Sequence, residues 1–441
     1  MLFGVVIKSW IAENHKSNRK IGKVKPMGRK FDVIIVGAGA AGMMAGISAA
    51  RHGASVLILE HMESAGKKIL ATGNGKCNFT NEKQGTLYYR GKNPAFVLPV
   101  FQQFGLEDTL ELFQKLGIEP RSKRDGYYYP ASGQASAIRE VLLMECRYQK
   151  IRIAYNVGIR SIQKVENEFI FNTKQGEFQS STCIIATGGK TAKKTGSDGS
   201  GIPYIEGFGH KIIDIVPALV ALQGKQSFLP EIAGIRAENR VEIYIENEKI
   251  AEETGELQLT EYGVSGIPVF QISRYASYAL QEGKEVYILL DFLPWQTEAQ
   301  TEKMLEERFV TYGNKKSAYE AMIGLFPNKL INVLLTQSGI VLDLSAKNCS
   351  REKIKELTKT VRHLRVDITG TKGFESAQVT AGGVDTEEIN ATTMESKLVS
   401  GLYFAGEVID IDGMCGGYNL QWAWSSGWIA GAYAGEGSKQ I

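Results

Sequence analysis

Phe31-Asp32-Val33-Ile34-Ile35-Val36 runs directly into Gly37-Ala38-Gly39-Ala40-Ala41-Gly42. A short β-branched apolar run of this kind predicts a buried parallel strand. Gly37 permits a tight turn, and Gly39 lets the backbone come close to a pyrophosphate. Gly42 lets the next helix, entered through Ala40 and Ala41, press against the sheet with its N-terminus toward the phosphates. Small residues continue to Arg51, Gly53 closes the helix, and Ser55–Leu59 predicts a second strand ending at Glu60. Glu60 lies 18 residues after Gly42, where a carboxylate accepts hydrogen bonds from a ribose hydroxyl and repels a 2′-phosphate. Strand, glycine turn, helix, strand and acid together predict a site for FAD or NAD, not NADP.

The rest of the chain decides between the two. Gly66–Asn78 (GKKILATGNGKCN) is a second glycine-rich loop that a nicotinamide site does not need. A flavin site does, because extended backbone must run beside the ribityl chain and the ring. Lys68, Thr72, Gly73, Asn74, Gly75, Cys77 and Asn78 are therefore candidate contacts. Ser181–Gly189 is a strand ending in a small-residue turn, which adds Thr187 and Gly188. Gly401–Glu407 is another strand and adds Gly406 and Glu407. Gly413–Trp428 is a glycine turn opening a helix, with Gly417, Asn419 and Leu420 at its start. A helix N-terminus carries about half a positive charge, suited to the C2 carbonyl of a reduced flavin. Asn419 is expected to cap that helix or to bind the flavin. The backbone near Ile159 is a candidate for adenine. These segments, far apart in sequence, point to FAD.

The same stretches resemble the YhiN-like flavoproteins, a bacterial family that includes aminoacetone oxidase and BaiN-type members. The similarity covers residue 31 to the C-terminus, and the run around Asn74–Asn78 is its most distinctive part. The resemblance implies non-covalent FAD and three domains: an FAD domain, a β-barrel-like domain and a small helical domain. The family's carboxylate near the C-terminus is usually Asp, and here it is Glu407. The resemblance implies little about substrate.

Periodicity independently predicts an α/β chain whose Rossmann-like FAD-binding domain is split in sequence, residues 31–205 and 380–441. Short strands separated by turn residues begin near Lys211, so residues 206–296 and 364–379 predict a β-barrel-like domain. Residues 297–363 predict a small helical domain. Residues 1–30 place their apolar stretch before their basic one, the reverse of a secretory signal, and are expected to be a disordered leader or an over-long start, with Met27 just before the first strand. The 441 residues carry 51 Lys and Arg against 48 Asp and Glu, a net charge of +3, which argues against nucleic acid or an anionic membrane as partner. No apolar run reaches the roughly 20 residues of a membrane span. Five scattered cysteines without CxxC spacing predict a reducing cytoplasm and no dithiol centre, and the histidines show no metal spacing.

FAD performs the electron transfer in such a protein, and the chain supplies binding, orientation and electrostatics. Cys77 and Cys415 are candidates for further chemistry because both sit in loops expected near the flavin; the plainer reading is packed small residues. Tyr128, within the Tyr127–Tyr129 run, is a candidate aromatic wall, against the plainer reading of a half-buried strand. Arg236, Arg274 and Lys372 are candidate partners for an acidic substrate, and Trp422, Trp424 and Trp428 read as packing. No second dinucleotide unit holds NAD(P)H, and Gly196–Gly201 resembles instead a flavin-side loop of fumarate-reductase-like proteins. Three activities stay open: an NAD(P)H-linked FAD reductase of an enone-like or other small apolar molecule, an FAD oxidase of a small amine or alcohol using oxygen, and a flavin-containing RNA-modifying or binding protein.

Overall fold

The computed structural model describes residues 30–123, 126–311 and 313–439. The expected leader lies outside the described residues, except for Lys30, which opens the first strand.

β1 (Lys30–Val36) buries Val33, Ile34 and Ile35 completely. The chain turns at Gly37, at φ +100°, where a side chain would be strained. It then enters α1 (Ala40–Arg51) and returns as β2 (Val56–Leu59), parallel to β1 with Val33 opposite Val56. β3 (Arg152–Ala154) lies beyond β2, and β4 (Ile159–Val165), β5 (Glu168–Thr173) and β6 (Gly176–Ile185) form an antiparallel meander. The sheet order is β3-β2-β1-β6-β5-β4.

β7 (Ile212–Ala218) leads into the insertion. There β8 (Leu222–Gly224), β9 (Arg236–Ile245), β10 (Glu248–Thr260), β11 (Gly263–Gly266), β12 (Val286–Asp291) and β13 (Leu364–Thr371) close into a barrel in the order β8-β11-β10-β9-β12-β13. Closure through Gly370 opposite Gln223 leaves no open sheet edge. α2 (Ile267–Gln281) follows β11. Four further helices, Glu298–Glu306, Ala318–Met322, Asn328–Gln337 and Arg351–Arg362, lie between β12 and β13. Each is too short to be stable alone in water, and they share one core with the barrel: Leu305, Leu334 and Leu357 join Val241, Ile288 and Val366. Buried Asp291 ties the two parts, pairing with Arg240 at 2.9 Å and Arg362 at 3.0 Å.

β14 (Val379–Val384) returns antiparallel to β7, and β15 (Leu402–Phe404) joins the main sheet parallel to the last residues of β6. The final helix, α3 (Tyr418–Gly437), lies directly on α1. A Cβ added to Gly427, Gly431 or Gly435 would stand 2.5, 2.2 or 3.0 Å from the carbonyl oxygens of Ala41, Ala45 and Ala49. Glycine at this four-residue spacing lets the two backbones touch, so two helices from opposite ends of the sequence converge with their N-termini on one site.

Candidate functional site

A cavity of about 670 Å³ opens where the sheet meets the insertion, at the carboxyl ends of β1 and β6, the place where open α/β sheets bind ligands. Gly37, Gly39, Ala40 and Ala41 form one wall at the N-terminus of α1, whose first turn holds no acid. A Cβ on Gly39 would meet only open space, so bare backbone faces the cavity there. Gly42 is not on the wall. Its own Cβ would lie 1.9 Å from the Gly37 carbonyl oxygen, so it serves the turn by packing.

Glu60 lines the same end and is 7% exposed. One carboxylate oxygen accepts from the Ala38 amide and the other from the Met62 amide, both at 2.7 Å. The acid therefore braces the glycine turn while leaving lone pairs for a hydroxyl. Ile159 is also on the wall, and its carbonyl accepts from the Tyr204 hydroxyl at 2.8 Å.

Thr187 and Gly188 come from the end of β6, and Gly406 and Glu407 from the turn after β15. Lys68 Nζ donates to Glu407 Oε2 at 2.6 Å and to Thr191 Oγ1 at 3.1 Å. Glu407 Oε1 accepts from the Thr380 amide at 2.8 Å and from Thr191 Oγ1 at 3.2 Å. The carboxylate expected to meet a ribityl hydroxyl is thus braced by three segments of the protein, with lone pairs to spare only on the oxygen facing Lys68.

The Gly66–Asn78 loop curls because Gly73, Asn74, Gly75 and Cys77 all take left-handed backbone, at φ +55°, +52°, +81° and +56°. Thr72, Gly73, Asn74 and Asn78 reach the wall, whereas Gly75 is exposed outside it. Cys77 turns away from the cavity and is fully buried; burial pushes its thiol up to about 12, against a smaller opposing hydrogen bond with Thr72. It packs in the domain core, the setting of an inert structural cysteine. Tyr128 is likewise displaced as a candidate. The side-chain alternation of the strand Tyr127–Pro130 puts Tyr127 and Tyr129 on the wall and packs Tyr128 against the domain core.

At the N-terminus of α3, Gly417, Asn419 and Leu420 line the cavity. The Asn419 carboxamide is occupied elsewhere: Oδ1 accepts from the Gly413 amide and Nδ2 donates to its carbonyl, each at 2.8 Å. The residue closes the preceding loop and does not cap the helix, whose N-cap is Gly417. Trp422 and Trp424 are buried and donate to the carbonyls of Gly406 and Phe79 at 3.1 and 2.9 Å.

The insertion closes the cavity with Leu219, Ile267, Phe270 and Val379, beside Met414 and Cys415. Cys415 packs against Leu219, Phe270 and Val379. Its amide donates to Gln271 Oε1 at 3.0 Å, and burial pushes its thiol up to about 12. None of the three expected substrate cations is on the wall. Arg274 pairs with buried Asp412 at 3.1 Å, Arg236 pairs with Glu256 at 3.3 Å, and Lys372 lies over the Tyr262 ring.

Sequence reasoning missed Ser197, Tyr204 and the insertion residues. The glycine-rich run Gly196–Gly201 was a usable signal for Ser197; Ile267 and Phe270 meet the site only through tertiary packing. Three wall oxygens, Thr187 Oγ1, Ser197 Oγ and Asn78 Oδ1, are buried without a hydrogen-bond partner. Such groups are costly unless a ligand completes them. Orphaned hydroxyls and amide oxygen, two helix N-termini and bare backbone at Gly39 fit a ligand rich in phosphate and hydroxyl groups, as FAD is.

The HI0933-like protein Rossmann domain family matches residues 31–433. A 3-dehydro-bile acid delta(4,6)-reductase of Clostridium scindens is 43% identical over 91% of this chain and 98% of its own. The ribosomal RNA dihydrouridine synthases of Haemophilus influenzae and Escherichia coli are 32% and 33% identical, over 91% and 90% of this chain and 97% and 96% of theirs. Among solved structures, the 3-ketosteroid-delta4-(5alpha)-dehydrogenase of Rhodococcus jostii RHA1 aligns over 95% of this chain and 99% of its own, at 16% identity and a TM-score of 0.49. Among the described residues no helix is long and apolar enough to cross a membrane. The chain is an FAD-dependent oxidoreductase and belongs to the HI0933-like family.

Proposed function

We propose that the protein reduces a carbon–carbon double bond conjugated to a carbonyl in a small apolar molecule, with NAD(P)H as electron donor. An apolar wall carries this reading: Leu219, Ile267, Phe270, Val379 and Met414 close the cavity beside the N-terminus of α3 with no charged side chain among them. Such a surface takes an apolar substrate and excludes water. The 43% identity to a protein named for reduction of a dehydro-bile acid supports the same reaction class.

In this reading the α1 N-terminus would hold the pyrophosphate of FAD, Glu60 would take a ribose hydroxyl, and Thr187, Ser197 and Asn78 would gain the partners they lack. When bound, FAD supplies two-electron transfer. The N-terminus of α3 would stabilise negative charge at the ring. Burial, the larger influence, together with the nearby Cys77 thiol holds the Tyr129 phenol above its ordinary range, and burial does the same for the Cys415 thiol. Both wall groups therefore keep a proton at neutral pH, available to the carbon next to the carbonyl once the far carbon of the double bond has accepted a hydride equivalent. All five cysteines are unpaired, as in a reducing cytoplasm, where we place the protein.

The two relatives named ribosomal RNA dihydrouridine synthase favour a second reading. A uracil ring also presents a double bond conjugated to a carbonyl, so the cavity chemistry would be shared. Anaerobic incubation with NADPH and either a panel of steroid-like enones or uridine-containing ribosomal RNA separates the two. The proposal predicts an enone product heavier by two hydrogens. Product from RNA alone would move the assignment to the second reading, and peroxide formed from amines or alcohols in a parallel aerobic assay would overturn both.

A further inference from the structure

We infer that the cavity mouth carries a docking site for the phosphates of NADPH, its 2′-phosphate included, formed by Lys190, Lys193, Lys194 and Lys372. The inference rests on the reading that a nicotinamide dinucleotide supplies the electrons.

Two segments meet at this mouth. Residues 190–196 follow the turn at the end of β6, and residues 372–378 lead into β14. The Ala192 amide donates to the Phe374 carbonyl at 3.3 Å, and the Lys190 amide donates to Thr380 Oγ1 at 2.7 Å. The first segment gives Ala192, Thr195 and Gly196 to the cavity wall; the second gives Ala377 and Gln378. All four lysines are exposed on these segments. Among the described residues none of them has a carboxylate within ion-pair distance. Lys190 Nζ instead lies 4.9 Å from the Phe374 ring centroid, and Lys372 Nζ lies 4.4 Å from that of Tyr262. A ring face holds an ammonium in place without neutralising it.

Asp198 and Glu375 are the acids within the stretches 190–201 and 372–378, and Asp198 accepts from the Ser200 amide at 3.0 Å. Four cations against two anions leave the rim positive. Lysine binds phosphate as a point charge, and a 2′-phosphate has no place at the wall of α1, where Glu60 repels it. Lys68, on the wall itself, is held by Glu407. A polynucleotide would need a continuous basic stripe, whereas this rim is confined to two short segments of a chain with net charge +3. A phosphorylated dinucleotide matches its charge.

The test uses the FAD-loaded protein and calorimetric titration with 2′,5′-ADP, with 5′-ADP for comparison. The inference predicts tighter binding of 2′,5′-ADP, and a loss of at least about tenfold in that affinity in the paired variants Lys193→Gln/Lys194→Gln and Lys190→Gln/Lys372→Gln. KM for NADPH should rise by a similar factor and KM for NADH by less, while turnover of dithionite-reduced protein stays unchanged. Equal binding of the two probes, or unchanged 2′,5′-ADP affinity in both variants, overturns the inference. So does loss of RNA-oligonucleotide binding in the variants with 2′,5′-ADP binding intact. Calorimetry does not involve turnover. If 2′,5′-ADP binds as predicted but dithionite-reduced protein reduces no enone, the substrate assignment fails and the docking site stands.

Discussion

Replacing Glu60 with Gln preserves shape and removes one acceptor. The carboxylate takes the Ala38 and Met62 amides at 2.7 Å on separate oxygens, at a position only 7% exposed. A carboxamide offers one oxygen, so one of those amides must face its NH2 group. A buried donor left unsatisfied costs about 1–3 kcal/mol, and the remaining bond loses its charge assistance, about 1 kcal/mol more. Glu60→Gln should therefore lower the stability of the apoprotein by about 2–4 kcal/mol. FAD additionally loses a charge-assisted hydroxyl contact, about 1–2 kcal/mol, which raises its Kd about fivefold to thirtyfold. Urea denaturation of apoprotein gives the first quantity and flavin fluorescence titration the second. A variant with normal stability would refute the bracing role. Normal stability loss with unchanged Kd would refute the ribose contact alone.

Gly431→Val puts a branched side chain where even a Cβ would lie 2.2 Å from the Ala45 carbonyl. Forcing α1 and α3 apart should cost at least about 1–3 kcal/mol and release FAD, read by denaturation midpoint and flavin retained on gel filtration. Arg274→Met strips the partner from Asp412, whose side chain is 4% exposed. Removing one member of a buried pair costs about 3–5 kcal/mol. Burial already holds the Asp412 carboxyl above its ordinary range and Arg274 opposes that, so the loss should be largest at pH 8 and shrink in acid as the carboxyl protonates. Equal losses at pH 5 and pH 8 would contradict this. The thiols of Cys77, Cys146 and Cys415 are pushed up to about 12, and that of Cys183 also rises, with burial the main cause in each. Unfolded thiols ionise near 8.5. The folded state holds these protons, so its stability is intact below pH 8.5 and declines from there toward pH 12. The urea midpoint should fall between about pH 9 and pH 11, and Ellman's reagent should leave Cys77 and Cys183 unreacted in native protein.

The cavity wall at the start of α1 was legible in sequence because its physics is local. A β-branched strand, glycines at Gly37 and Gly39 and an acid at Glu60 each impose their geometry within a few residues. The split domain was legible for the same reason, since Gly401–Glu407 and the helix after Gly417 repeat strand-end and helix-start signals at the far end of the chain. Tyr128 could not be told from its neighbours without knowing which strand face is inward. Asn419 is a plausible cap by type, yet its carboxamide closes onto Gly413, a loop path no propensity encodes. Ile267 and Phe270 read as ordinary residues of an amphipathic helix. They become cavity wall only because β7 and β14 set the insertion over the main sheet. The single core shared by barrel and helices was hidden likewise, because helical periodicity reports an apolar face and not the surface it covers.

The most direct test of the proposed reaction is anaerobic mixing of dithionite-reduced, FAD-loaded protein with a steroid-like enone while the flavin's visible band is followed. Return of the band at a rate that rises with enone concentration, with one reduced product per flavin, is the predicted result. A flavin that stays bleached in every enone, yet recovers its band at once on exposure to oxygen, would contradict it and leave an oxidase.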